Sequence, residues 1–433
     1  MSVDARFARC FFGICSILFL LASLCGCKHN TDSDAPSESA SDALMQQPLP
    51  YAEQTKEQLY LPDTNPLSEQ KVIASWIPYF QYADLFAEAD EAEARNRIRS
   101  LLSGAKAMGI NTIFAHVCAF GEAYYHSEHY ALADLASDFD CLQILAEECD
   151  ALSLSLHAWL NPLRLQAEPI LAKQSQETQI AAWYQNPQTN GRYVVKVDSR
   201  WYLNPAYPAV QEFLAKVITE LLLHYDIDGI HIDDYFYPTT APEFDAEAFA
   251  DSGEKDLTAW RTSNINTLVS SLYRTTHSLK PHAVFSISPQ GNMHQNQTKL
   301  YADSTLWCSQ TGYCDWIIPQ LYYGYENQTM PFEQTFSDWC ALKRADGVSL
   351  MIGLAAYKVG VIDAFAGSGQ TEWQEHSGIL AEQTADVLEN SALQGVAFYH
   401  LDATLALSQR EETALSQVIL QNRSETIQTS SGS

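Results

Sequence analysis

The sequence predicts a closed barrel of eight parallel strands, each followed by a helix, as one catalytic domain. Three observations predict it. Short apolar, β-branched runs alternate with longer amphipathic stretches from Lys71 onward, and the runs count to eight. Polar residues share one side of several of these runs and gather at their C-terminal ends, where barrel active sites lie. The chain is also long enough, at 433 residues with 46% hydrophobic, to bury so large a core. A doubly wound sheet is the competing architecture. It usually shows a glycine fingerprint after its first strand, and Pro78-Tyr79-Phe80 is not one.

Taken in order, residues 1–26 read as a secretory signal: Arg6 and Arg9, then an apolar run from Cys10 to Leu24. That run, about fifteen residues, falls short of the ~20 a bilayer-spanning helix needs. The tetrad Leu24-Cys25-Gly26-Cys27 resembles a bacterial lipobox, which would make Cys27 the lipidated first residue and place the protein outside the cytoplasm, anchored to a membrane. Residues 27–70, rich in Ser, Asp, Ala, Gln and Pro without periodicity, read as a flexible tether. The expected barrel spans 71–421, and 422–433 reads as a disordered tail.

Within the barrel the expected strands are Val72–Ile77, Thr112–Val117, Leu154–Trp159, Gly229–Asp233, Val284–Ser288, Trp316–Gln320, Leu350–Leu354 and Gly395–Tyr399. Expected helices include Ala87–Met108, Pro205–Tyr225, Leu257–Leu279, Pro331–Ala345, Glu372–Asn390 and a last one near Leu405–Leu420. Strand parity puts Ile230 and Ile232 on one side and His231 and Asp233 on the other. The same rule groups Phe114, His116 and Cys118, then Ser155, His157 and Trp159, then Ser286 and Ser288, then Ile318, Gln320 and Tyr322. Satisfied core polar groups would explain one or two such strands, not five.

Charge narrows the partners. With 25 Lys+Arg against 53 Asp+Glu the formal net charge is −28, and no basic run exists to neutralise phosphates, so nucleic acid is excluded as a partner. No glycine-rich phosphate cradle appears, and no cofactor is called for. Ten Cys are present without a doubled CxxC, and there is no HxH or HExxH, so no metal site is expected. Cys141 and Cys149 lie about 12 Å apart along an expected helix, too far to bridge, whereas Cys308 and Cys314 are spaced to pair across a short loop.

The segment Asp228–Pro238 carries the sharpest signal. Two adjacent carboxylates, Asp233 and Asp234, end a buried strand and run straight into Tyr235, Phe236 and Tyr237. Carboxylates are costly there unless functional, and aromatic rings stack on the apolar faces of sugars. Parity points Asp233 into the mouth, sets Asp234 at the rim and leaves Asp228 structural. Other segments supply candidate substrate-binding groups: His116; Glu122 and Tyr124; His157, Trp159, Asn161 and Arg164; Asn204; His231, Tyr235 and Tyr237; Ser288; and Gln320, Tyr322, Tyr323 and Tyr325. A mouth rich in Trp and Tyr with few positive charges suits a neutral polyol polymer.

These segments resemble those of the bacterial glycosyl hydrolase-like 10 family, in order, from about Lys71 to Leu420: Gly109-Ile110-Asn111-Thr112, Gly121–Tyr125, His157–Arg164, Asp228–Pro238, Ser286–Gly291, Pro319–Tyr322 and Gly353–Lys358. The chain departs from the family's pattern at His116 and Cys118, where Gln and Arg are expected, and at Cys141, where Pro is. The resemblance implies a secreted or lipid-anchored barrel glycosidase, similar to enzymes acting on peptidoglycan glycan strands stripped of their stem peptides.

Glycoside hydrolysis usually needs two carboxyl groups. Asp233 or Asp234 supplies one, with Asp233 expected nearest the scissile bond. Strand seven ends Leu354-Ala355-Ala356-Tyr357 without a carboxylate, so the second is sought at Glu326, then Glu122, then Asp402. Chitinase-type barrels end this strand in Asp residues followed by an acid Glu; Tyr235 stands there instead, leaving substrate-assisted catalysis through an N-acetyl group with Asp233 or Asp234 as acid. Two other classes stay open: a carbohydrate-binding lipoprotein without activity, and a metal-dependent hydrolase.

Overall fold

The computed structural model describes residues 71–134, 139–168, 170–173 and 178–430. The expected signal segment, Cys27 and the tether lie outside the described residues. Eight parallel strands close into a barrel: β1 (Val72–Ile77), β2 (Thr112–Cys118), β3 (Ser155–Leu160), β4 (Gly229–Ile232), β5 (Val284–Ile287), β6 (Trp316–Ile317), β7 (Ser349–Leu354) and β8 (Gly395–Phe398). Each pairs with its neighbours in sequence, and β1 pairs with β8 to close the ring. β6 is shorter than expected because Pro319 has no N–H for the ladder; beyond it only isolated bridges from Gln320 to Gln290 and to Gly353 continue the pairing.

Two apolar layers follow from the strand alternation. Ile230 and Ile232 lie in the large cluster that includes Val217, Leu221 and Leu268 of the helices. Trp76, Phe114, Trp159, Trp316, Ile318 and Met351 form a separate cluster filling the barrel. Parity therefore assigns the inward set correctly except at Cys118, which a bulge after His116 turns from the expected inward side into the helix-facing cluster. His157, which shares that side, is fully buried; its imidazole stacks on Trp316 at 5.2 Å between ring centres and lies over Gly229, where a Cβ would stand 2.6 Å from Nδ1. Only glycine fits that position of β4. Burial alone takes the His157 pKa down to about 3, so the ring stays neutral.

Local chemistry sets the helix ends. The helix expected from Ala87 begins at Glu91, where Asp90 accepts the Glu93 N–H at 2.8 Å, and ends at Met108 because Gly109 turns left-handed at φ 99°. Asn111 then clamps β1, accepting from the Ile73 N–H and donating to the Lys71 carbonyl. The helix expected over Glu372–Asn390 is two, Glu372–Glu375 and Ile379–Glu389. The break falls at Gly378, left-handed at φ 89°, whose N–H is taken by the Glu411 carboxylate. Phe332–Cys340 stops short of Ala345, whose N–H turns to the Cys308 carbonyl. The terminal helix runs Gln409–Ser430, past the tail boundary expected at 422, with the Asn422 amide on the Leu388 carbonyl.

Among the described residues, no helix is long and apolar enough to cross a membrane. The cysteines at 118, 141, 149, 308, 314 and 340 are all free, so Cys308 and Cys314 do not pair. One feature went unforeseen: after β3 an antiparallel three-stranded sheet, ordered Arg164–Ala167, Arg200–Leu203, Val194–Val197, rises beside the mouth.

Candidate active site

The floor of the mouth is a hydrogen-bonded layer across β1, β4 and β5. The Trp76 indole N–H donates to His231 Nε2 at 3.0 Å. An indole can only donate, so Nε2 accepts, the His231 proton sits on Nδ1, and Nδ1 donates to Ser286 Oγ at 2.8 Å. Ser288 Oγ also lies 3.1 Å from Nε2. Burial, then His157 and His116, hold His231 well below its usual pKa, so it is a neutral spacer beneath the carboxylates.

Asp233 stands directly above it, 3% exposed. Its Oδ2 accepts the Trp159 indole N–H at 3.2 Å and its Oδ1 the Tyr235 backbone N–H at 3.3 Å. Asp234 is held by two amides: Gln290 Nε2 to Oδ2 at 2.9 Å and Gln320 Nε2 to Oδ1 at 3.3 Å. The Gln320 amide is itself fixed by donation to the Ser288 carbonyl at 2.9 Å. The two carboxyls thereby differ. Burial, and next the charge of Asp234, drives the Asp233 pKa well above the carboxylate range, against the Tyr235 N–H, Arg164 and Trp159. Burial raises Asp234 too, but the two glutamine amides, its own backbone and Arg164 oppose it. Asp233 is thus the member pushed harder toward its neutral form, and Asp234 the one whose charged form is held by donors.

Aromatic groups wall the mouth. Tyr322 stacks on Tyr399 at 5.7 Å, Tyr357 meets both edge-on, and Tyr399 also faces Trp76 and Trp159. His116 lies flat on Trp159 at 3.6 Å, and Tyr79 meets its edge. Tyr323 lies close enough to Asp234 to feel its charge. Tyr235 is 41% exposed at the rim with the Arg164 guanidinium 4.2 Å from its ring centre. Asn161 is buried, its amide on the Ala119 carbonyl.

Several expected site residues lie elsewhere. Glu326 is exposed on the loop after β6, its backbone N–H tied to Glu372, and among the described residues it makes no contact with either aspartate. Tyr325 turns outward, its hydroxyl donating to Asp386. Tyr237 is 1% exposed beneath the β4 loop, against Tyr301 and the Arg261 guanidinium. Tyr124 packs on Tyr82, and Asn204 caps its own turn by accepting the Ala206 N–H. Glu122 is buried, bonded by the Gln166 amide and raised by burial to about 7, with Arg200 opposing. Asp228, read as structural, accepts the Leu156 N–H at 2.8 Å and latches β3 to β4. Sequence reasoning missed Gln290, Trp76, Tyr357, Tyr399 and Arg200. Parity along β1 would have found Trp76, and Tyr399 ends an expected strand at the mouth.

Among the described residues, no group of three or more His, Cys, Asp or Glu could hold a metal ion. A closed (β/α)₈ barrel with an acid pair after β4 under an aromatic mouth is a glycoside hydrolase-like architecture. The chain belongs to the glycosyl hydrolase-like 10 family, whose model matches residues 71–368. It is similar to glycosyl hydrolase YngK of Bacillus subtilis, 28% identical over 325 residues (68% of this chain, 62% of the relative), and to glycosyl hydrolase DigH of Escherichia coli K12, 28% identical over 285 residues (58% and 64%). The chain thus spans less than two thirds of either relative's length. Among solved structures it shares its fold with the PgaB (BpsB) glycoside hydrolase domain from Bordetella bronchiseptica, at a TM-score of 0.53 and 13% identity, covering 81% of this chain and 98% of that one.

Proposed function

We propose that this chain is an extracytoplasmic, lipid-anchored glycoside hydrolase that cleaves peptidoglycan glycan strands lacking stem peptides. The observation that carries this reading is the Asp233–Asp234 pair: one carboxyl pushed toward its neutral form by burial and its neighbour's charge, the other with its charged form held by two glutamine amides. Asp233, donating its proton to the glycosidic oxygen, is the general acid. Asp234 supplies the negative charge that steadies the oxocarbenium-like centre and orients the group attacking C1, the substrate's own N-acetyl oxygen or a water. Tyr235 and Tyr357, the two well-exposed rings of the mouth, provide flat faces for sugar rings. The relatives' names as glycosyl hydrolases support the reaction class, and the lipobox-like Leu24–Cys27 supports the location.

The exposed position of Glu326 favours a second reading, a carbohydrate-binding protein without turnover. Incubating the purified protein and Asp233→Asn with peptide-free peptidoglycan glycan, chitin oligomers and a neutral glucan, and counting new reducing ends, separates them. Release from the first substrate alone, lost in the variant, is the expected result. Retention of a glycan without release would establish the binder.

A further inference from the structure

Two arginines gather at the mouth of a chain whose net charge is −28. Arg164 and Arg200 rise from adjacent strands of the sheet inserted after β3 and bracket one ring, Phe120, at 4.8 and 4.4 Å. Neither forms a salt bridge among the described residues, whereas Arg95, Arg99 and Arg261 each hold a carboxylate. Among the described residues Arg200 makes one side-chain hydrogen bond, from Nη1 to the Leu165 carbonyl, and Arg164 Nε is buried with no partner. Burial, and then the charge of Arg164, lowers the Arg200 pKa. The carboxyl felt by Arg200, Glu122, is buried and bonded to Gln166. Two like charges drawn together over one ring, with guanidinium N–H groups to spare, are arranged for an anion from outside.

Its position says which anion. Arg164 acts electrostatically on both Asp233 and Asp234 and lies on the Tyr235 ring beside them, so its guanidinium borders the reacting centre, with Arg200 across Phe120 from it. A guanidinium fork takes phosphate and carboxylate alike, and of the two the glycan proposed above carries carboxylate. A planar carboxylate matches the guanidinium fork. We propose that Arg164 and Arg200 form a subsite for a carboxylate carried by the glycan, the lactyl carboxylate that a muramic sugar exposes once its peptide is gone. This rests on the function proposed above and deepens it. Attaching a stem peptide turns that carboxylate into a neutral amide, so the subsite reads the removal of the peptide as a gain of charge at a fixed place.

The test compares two strands: peptide-free glycan with free lactyl carboxylates, and the same glycan with those carboxylates converted to methylamides. Affinity is measured on Asp233→Asn and turnover on the unmutated protein. The carboxylate strand is expected to bind about ten- to a hundredfold more tightly, the range of a hydrogen bond to a charged group, and to lose that advantage in high salt. Arg200→Gln in the same background should weaken the carboxylate strand and leave the methylamide strand unchanged; Arg200→Lys should restore part of the preference. Thermal melting checks that both variants fold. Equal affinity for the two strands, or an Arg200→Gln loss shared equally between them, overturns the subsite. If the unmutated protein cleaves both strands alike, the glycosidase reading survives and the subsite falls. If it cleaves neither, the glycosidase reading fails, and the binding contrast still decides the subsite.

Discussion

Replacing Gln290 by alanine removes one of the two side-chain amides that keep Asp234 ionised. The Gln290 Nε2 to Asp234 Oδ2 bond is 2.9 Å, the shorter of the pair, while Gln320 shares its amide with the Ser288 carbonyl. A hydrogen bond to a charged group contributes about 1.5–3 kcal/mol, and Asp234 is partly open to solvent, so the lower end applies. At 1.36 kcal/mol per unit, about 1.5 kcal/mol raises the Asp234 pKa by about one unit. The sign is fixed: losing a donor to the charged form disfavours that form. Turnover requires Asp234 ionised, so the acid limb of the pH–rate profile should move up by about one unit in Gln290→Ala. The alkaline limb, set by the proton on Asp233, should move far less. The assay is reducing-end release from peptide-free glycan across pH, with stability checked at each pH. An acid limb that stays in place in Gln290→Ala refutes the division of roles between the two aspartates.

Other positions give separate tests. Glu326→Gln should leave turnover within about twofold, because the side chain is exposed; a loss of a hundredfold or more would make Glu326 a catalytic carboxyl in place of Asp234. Asp245 is the buried partner of Arg261, itself fully buried, at 2.6 Å. Asp245→Ala should cost about 3–5 kcal/mol in denaturant unfolding, since it strands a buried cation, and a cost under 1 kcal/mol would show water reaching the guanidinium. Glu122, raised from 4.5 to about 7, contributes stability that is present below pH 4.5 and lost as pH rises through 7. Glu122→Gln should therefore match the parent at pH 4 and exceed it by up to about 3 kcal/mol at pH 8; equal stability at both would place Glu122 in water.

The barrel was legible because the period-two alternation and the helical stretches between strands both persist through the whole domain. The same parity separated the helix-facing isoleucines of β4 from His231 and Asp233. Parity states the side of a strand, not the depth along it, and that is where the candidate site was misread. His157 and His231 share the side of Asp233 but lie a layer or more below it. Tyr237 and Tyr325 sit in loops, where alternation no longer applies, and tertiary partners decide: Arg261 draws one inward, Asp386 the other outward. Gln290 and Arg200 escaped notice because their roles come from neighbours far away in sequence, Asp234 and Arg164. The inserted sheet was hidden for a related reason, its strands being only four residues each and flanked by ordinary polar sequence.

The most direct test of the account is to digest peptide-free peptidoglycan glycan in oxygen-18 water and examine the new reducing ends by mass spectrometry. Labelled ends are expected with the unmutated protein, and their loss with Asp233→Asn, while the variant still binds the strand. Glycan bound by the unmutated protein but no labelled end formed, or ends formed equally well by Asp233→Asn, would contradict it.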